Sequence, residues 1–115
     1  MEGHMLQETP ESFLLGGVML HTKSGKVFVD GRQEHVSKSE MRLLALLMRN
    51  AGTLVSRDMF MEELYSDSED CAEDKIVDVF ICRLRKKLDP NDPYRFIQTV
   101  WKRGYQFAKP SIGIP

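Results

Sequence analysis

The sequence predicts an α+β fold in which a small antiparallel sheet is followed by three helices and a closing β-hairpin. Three observations support this order. Short apolar runs separated by glycine turns fill residues 13–36, apolar residues recur at helical spacing between residues 37 and 88, and two strand-like segments flank a basic tip. At 115 residues, the chain is long enough for one domain with a single core.

The first part of the chain has the pattern of a strand meander, in which short strands are separated by turns. The segments that predict strands are the apolar runs at residues 13–15, 18–21 and 27–29 and the segment that follows them at residues 32–36. Asp30-Gly31 separates the last two segments, and this pair favours a tight hairpin because glycine tolerates positive φ. Residues 1–12 show no periodicity, and two early methionines suggest an expression remnant or a disordered start. We therefore expect a domain over residues 13–109 and a tail at residues 110–115.

The first two helices carry recognisable start signals. Ser37 and Glu40 have the spacing of a capping box, in which each side chain accepts a hydrogen bond from a backbone N–H that the helix leaves unpaired. This helix is expected to stop at residues 50–52, which contain a glycine. Ser56 is predicted to cap the second helix. The inward residues of the second helix are predicted to be Met59, Phe60 and Leu64.

The third helix, expected over residues 73–88, has two opposed faces. At about 100° per residue, an apolar stripe forms that consists of Val77, Ile81, Leu84 and Leu88. The opposite side carries Lys75, Val79, Cys82 and Lys86, with Ile76 and Arg83 beside them and with Arg85 and Lys87 at its edges. A charged outer face is, on its own, equally typical of a solvated surface. A helix that presents cations and short apolar groups also suits the DNA major groove.

The distribution of charge favours the DNA interpretation. Residues 75–109 contain nine basic and three acidic side chains, a local balance of +6, whereas residues 62–74 contain seven acidic side chains and no basic one. The net charge of −1 is therefore a cancellation between two regions, and it says little about binding partners.

The end of the chain is predicted to form a basic hairpin. Residues 96–100 and 105–107 have strand character, and the four residues between them include an indole, two cations and a glycine. Tyr105 is expected to pack under this hairpin. Trp101 could bury against the third helix, which we favour, or lie exposed beside a minor groove. A sheet, three helices and a basic hairpin in this order describe a winged helix-turn-helix.

Two segments of the chain also resemble a known family. Residues 78–88 (DVFICRLRKKL) and residues 97–105 (IQTVWKRGY) resemble the OmpR/PhoB-type DNA-binding domain of bacterial response regulators, and among these the CtrA-like cell-cycle regulators. The resemblance covers residues 20–107. It implies an N-terminal four-stranded sheet, a third helix in the major groove and a wing at the adjacent minor groove.

The resemblance assigns roles to particular side chains. It places the recognition positions on Lys75, Ile76, Val79, Arg83 and Arg85. Arg83 is expected to read guanine, and Ile76 and Val79 are expected to meet thymine methyl groups. Phosphate contacts are expected from Arg85, Lys86 and Lys87. Wing contacts are expected from Thr99, Trp101, Lys102 and Arg103. Two departures stand out: Lys102 replaces a usual glycine of the wing tip, and Cys82 replaces a usual cation.

The resemblance also implies partners. Members of this family bind direct repeats head to tail, so we expect a tandem dimer on double-stranded DNA and a monomer in solution. The loop from Ser66 to Cys71 corresponds to a segment that touches RNA polymerase in the family, although a plain solvated loop is the favoured interpretation. No aspartate-bearing receiver half precedes the sheet, so we expect either an excised effector domain or a stand-alone regulator in the bacterial cytoplasm.

Other classes of function find less support. The histidines all lie in the N-terminal part and no phosphate-binding glycine loop occurs, so neither an enzyme nor a cofactor is expected. The acids from Asp67 to Asp78 approximate a calcium loop, but Ala72 replaces its required glycine, and we expect no metal. No apolar run is long enough to span a membrane. The alternative that we retain is a winged-helix module that contacts RNA polymerase or another regulator without binding specific DNA.

Overall fold

Two antiparallel sheets flank three helices in the computed structural model, which describes residues 7–9, 12–21, 23–65 and 75–108. The elements are β1 (Gln7–Thr9), β2 (Ser12–Leu15), β3 (Val18–His21), β4 (Lys26–Val29), β5 (Arg32–His35), α1 (Lys38–Arg49), β6 (Val55–Ser56), α2 (Arg57–Tyr65), α3 (Lys75–Leu88), β7 (Ile97–Val100) and β8 (Gly104–Phe107). This order confirms the predicted fold class. Helix α1 packs against β2 of the first sheet, β8 of the second sheet and both other helices.

The N-terminal sheet is a meander of five strands in the order β1-β2-β3-β4-β5. The four strands expected from the sequence are present as β2 to β5, and β1 is added to them by pairing Glu8 with Phe13 of β2. Residues 7–9 thus form a strand and not part of the disordered start that the sequence predicts, because a strand of three residues is too short for its alternation to stand out. Asp30 and Gly31 both have positive φ, as the tight hairpin requires.

Helix α1 begins at the predicted capping box. The backbone N–H of Ser37 donates to Glu40 Oε1 at 2.9 Å, and the N–H of Glu40 donates to Ser37 Oγ at 3.1 Å. The helix ends at Asn50, as its sequence predicts. Its inner face places Leu43, Leu44, Leu47 and Met48 in the core with no exposed surface. The capped start and the buried face therefore fix α1 as the central element of the core.

Helix α2 follows the two-residue strand β6 directly. The Ser56 hydroxyl accepts from the N–H of Met59 at 3.2 Å, which confirms the predicted cap. Phe60 is fully buried and Leu64 packs against the core, but Met59 is 38% exposed, so its predicted inward orientation is wrong. Met59 directly precedes the buried Phe60, and the side chains of adjacent helical residues point about 100° apart.

The C-terminal sheet has the strand order β6-β8-β7, so β8 lies in the middle and β7 is an edge. We call the hairpin of β7 and β8 the wing. Gly104 opens β8 opposite Ser56, and a Cβ built on it would lie 2.2 Å from the Val55 carbonyl oxygen. Only glycine allows this approach, which ties the wing to the strand that precedes α2.

Candidate nucleic-acid interface

Helix α3 buries the stripe that its sequence predicts. Val77, Ile81, Leu84 and Leu88 are each at most 1% exposed. The helix is described from Lys75 onward, so residues 73 and 74 of the expected helix lie outside the described part of the chain. Burial of this stripe fixes the rotation of the helix about its axis and therefore decides which side chains point outward.

The outward face of α3, which we define as Val79, Cys82, Arg83 and Lys86, is exposed. Val79 is 42% exposed, so its aliphatic side chain is accessible to a partner. The Arg83 guanidinium lies 5.8 Å from the ring centre of Phe80, one turn toward the start of the helix. This face therefore offers two cations, a short apolar group and a thiol.

Two further recognition positions lie beside this face. Ile76 is half-buried and packs against the core, so only part of its side chain can meet a partner. Lys75 is the first residue of α3, and its side chain is not among those described. Of the five predicted recognition positions, the structure therefore exposes Val79 and Arg83 and, in part, Ile76, whereas Arg85 turns toward the wing and the side chain of Lys75 is not described.

Lys87 is engaged inside the molecule. Its Nζ lies 2.7 Å from Oε1 of Glu40, the capping-box carboxylate, which is 2% exposed. Burial raises the pKa of Glu40, but the Lys87 hydrogen bond, the Ser37 N–H and the nearby cations outweigh it and hold that pKa below its usual value. The phosphate contact expected of Lys87 thus competes with a buried ion pair that joins α3 to α1.

Arg85 is also engaged inside the molecule. Its Nε and Nη2 donate to the carbonyl oxygen of Ile97 at 3.1 and 2.9 Å, and Nη2 donates to Thr99 Oγ1 at 2.8 Å. The guanidinium carbon lies 4.5 Å from the ring centre of Tyr94 and 5.3 Å from that of Tyr105. Arg85 and Thr99, both expected to contact DNA, are therefore bonded to each other across the junction of α3 and the wing.

The wing tip is exposed and basic. Trp101 is 79% exposed, so the favoured expectation that it buries against the third helix is wrong. The N–H of Arg103 donates to the carbonyl of Val100 at 2.9 Å, and Lys102 has a φ of +64°. Positive φ at the third position is the geometry of a type II turn, which usually takes glycine there. Lys102 thus adopts the positive φ that this turn position usually gives to glycine, and its side chain is exposed.

Asp78 is the structural residue that sequence reasoning missed. Its Oδ1 lies 2.8 Å from Arg57 Nη1 of α2 and accepts a hydrogen bond from the hydroxyl of Tyr105 in β8. Burial raises the pKa of Asp78, but these two donors outweigh it and keep that pKa low; burial and the same hydrogen bond raise the pKa of Tyr105. The available signal was that Asp78 is the one acid in residues 75–88.

Other kinds of site find no support in the described residues. No group of three or more histidine, cysteine, aspartate or glutamate side chains in them could hold a metal ion. None of the described helices is both long and apolar enough to cross a membrane. The loop from Ser66 to Cys71, for which a polymerase contact was considered, lies outside the described residues, as does most of the calcium-like acidic pattern.

Comparisons with known proteins match this chain to the C-terminal part of bacterial response regulators. Residues 31–107 match the family model described as the C-terminal part of transcriptional regulatory proteins. The chain is 38% identical over 96 residues to the cell cycle response regulator CtrA of Brucella anthropi, and the match covers 83% of this chain and 41% of that protein. The chain thus spans about two fifths of the length of the curated relatives that it matches.

Solved structures share the fold. The response regulator DrrB, an OmpR/PhoB homologue of Thermotoga maritima, aligns with a TM-score of 0.73 and 32% identity over 84% of this chain and 44% of that one. The DNA-binding domain of RstA from Klebsiella pneumoniae, solved in complex with the RstA box, aligns with a TM-score of 0.69 and 32% identity over 85% of this chain and 97% of that one.

Proposed function

The chain belongs to the OmpR/PhoB-type family of C-terminal transcriptional regulatory domains, and from this premise we propose that it binds specific double-stranded DNA as a bacterial transcription regulator. This is a family of DNA-binding domains and not of enzymes. The observation that carries the proposal is that α3 has an exposed outward face, with its other stripe buried in the core, and is hydrogen-bonded to a wing whose exposed tip is basic.

In the proposed complex, α3 lies in the major groove. Arg83 reads guanine by bidentate donation to O6 and N7, and Val79 contacts a thymine methyl group, with Ile76 contributing its exposed part. Lys86 and Lys75 contact phosphates, which position the helix without reading sequence. Exposure of Arg83, Val79 and Lys86 supports these roles.

The wing is proposed to flank the adjacent minor groove. Lys102 and Arg103 lie at its exposed tip, where their charges can approach phosphates on both sides of the groove. Trp101 supplies an exposed flat ring that can pack on the sugar-phosphate edge. We do not assign Arg85, Lys87 or Thr99 to DNA, because Arg85 and Thr99 are hydrogen-bonded to each other and Lys87 is paired with Glu40 within the protein.

Assembly on DNA is proposed to follow the direct-repeat pattern. Two copies bind head to tail on half-sites, and the chain is monomeric without DNA. A contact of the loop from Ser66 to Cys71 with RNA polymerase also remains a proposal, since that loop lies outside the described residues.

Selection of bound sequences from a random duplex pool tests the proposal. We expect enrichment of two directly repeated half-sites with centres about 10 to 10.5 base pairs apart, one helical turn of DNA. Selection with the Arg83→Ala variant is the matched control and should lose one guanine preference in each half-site. Failure to enrich any motif, by a folded protein, would overturn the proposal in favour of a protein-binding winged helix.

A further inference from the structure

Helix α3 is hydrogen-bonded to the wing at two residues that form one cross-strand pair of the hairpin. Asp78 accepts from the Tyr105 hydroxyl of β8, and Arg85 donates to the Thr99 hydroxyl of β7. Thr99 and Tyr105 are directly opposite each other in the register of the two strands. Asp78 and Arg85 are seven residues apart, which is about two turns and places them on the same side of the helix.

The shape of the Arg85 side chain suits it to bond α3 to the wing. Strand β7 is the edge of its sheet, so one row of its backbone groups has no partner among the described strands. The planar guanidinium donates both to the Ile97 carbonyl and to the Thr99 hydroxyl, two acceptors on the same strand. Its central carbon lies within cation–π distance of the rings of Tyr94 and Tyr105. A lysine would provide the charge but not the two fixed directions of donation.

We propose that Arg85 is a positioning residue: it locks the wing to α3, so that the wing-tip cations and the outward face of α3 reach two neighbouring grooves together. The proposal rests on the proposed DNA binding. It differs from the expected phosphate role because it assigns the effect of Arg85 to the placement of Lys102 and Arg103 and not to its own charge.

A substitution that conserves charge separates the two roles. For Arg85→Lys, we expect about a tenfold loss of affinity for the specific site and a salt slope that becomes shallower by about one to two, because the wing cations no longer reach phosphates. The matched control is Lys86→Gln, at the exposed residue that follows Arg85. This variant should make the salt slope shallower by about one, because Lys86 loses its own charge. An unchanged slope in Arg85→Lys would mean that position 85 acts as a phosphate contact, and would overturn the proposal.

A double-mutant cycle provides the second test. If Arg85 acts through the wing, Arg85→Lys should have less than about a twofold effect in a protein whose wing tip already carries Lys102→Ala and Arg103→Ala, because residues that act through one another are not additive. The same tenfold loss in both backgrounds would show that Arg85 acts independently of the wing.

The attachment of the wing to α3 can also be tested without DNA. Trp101 is the only tryptophan of the chain and lies at the wing tip, so its time-resolved fluorescence anisotropy reports wing motion. We expect faster local depolarisation in Arg85→Lys and in the milder Thr99→Val, recovery in Thr99→Ser, and wild-type behaviour in Lys86→Gln. Unchanged anisotropy in folded Arg85→Lys and Thr99→Val would overturn the proposal. If the wild-type protein bound no DNA, the proposed function would fail, whereas the anisotropy would still decide whether Arg85 holds the wing.

Discussion

Arg83 and Leu84 are adjacent in sequence, but their side chains point about 100° apart on α3. Arg83 is exposed and Leu84 is fully buried, so the pair separates recognition from folding. Arg83→Ala should lose about 1 to 3 kcal/mol of binding free energy on the specific site and leave the free energy of unfolding nearly unchanged. Leu84→Ala should instead cost about 2 to 5 kcal/mol of stability. Titration with matched and mismatched duplexes and urea unfolding measure both; equal weakening on all sequences in Arg83→Ala would make it a phosphate contact.

Lys102 combines backbone strain with a useful charge. Its positive φ costs about 1 to 3 kcal/mol, whereas a glycine there would give the unfolded chain only about 0.4 to 1 kcal/mol of extra entropy. Lys102→Gly should therefore raise the free energy of unfolding, while the salt slope of DNA binding becomes shallower by about one. Lys102→Ala is the control, since it removes the charge but keeps the strain. Equal stability of the two variants would contradict this account of the turn.

At the scale of elements, the start of α1 and the end of α3 are joined by Glu40. Because folding lowers the pKa of Glu40, the stabilisation that its carboxylate provides is present above the unfolded pKa and is lost as the pH falls through the lower, folded pKa. Glu40→Gln should cost about 1 to 3 kcal/mol near neutral pH and progressively less in acid. Thermal unfolding from pH 7 to pH 3 measures this convergence. Glu62→Gln, at an exposed carboxylate of α2, is the control, and parallel curves for wild type and Glu40→Gln would refute the role of ionised Glu40.

The attachment of the wing to β6 depends on Gly104. A methyl group there would meet the Val55 carbonyl oxygen at 2.2 Å, so Gly104→Ala should separate β6 from β8 and cost about 1 to 3 kcal/mol or more. Gly31→Ala is the matched control, because Gly31 also has positive φ but no neighbouring atom within 4 Å of a built Cβ. Hydrogen exchange at the amides of β6 and β8 locates the damage. An equal loss of stability in both variants would mean that the loss comes from the positive φ of the backbone and not from the close approach to Val55.

For the whole molecule, the sequence predicted the elements that have strong local signals. The capping box at Ser37, the hairpin at Asp30 and the buried stripe of α3 all depend on neighbours in the chain, and each is confirmed. The three-residue strand β1 and the exposed position of Trp101 depend on pairing and packing over distance, for which short sequence patterns carry no signal.

The same division applies to the candidate site. Helical spacing identified the outward face of α3 because one periodicity governs the whole helix. It could not distinguish Arg83, which remains exposed, from Arg85, which is turned toward Thr99 of a strand that follows later in the chain. Asp78 was missed for the same reason, since its partners come from α2 and β8.

The central claim is that α3 and the wing together form a surface for duplex DNA. The salt dependence of affinity for a selected duplex tests it most directly, because each phosphate contact releases counterions. With the four cations proposed to contact phosphates in each copy, log affinity should fall against log salt concentration with a slope of about −3 to −4 per bound copy. A flat dependence, or no binding of any selected duplex at low salt by the folded protein, would contradict the claim.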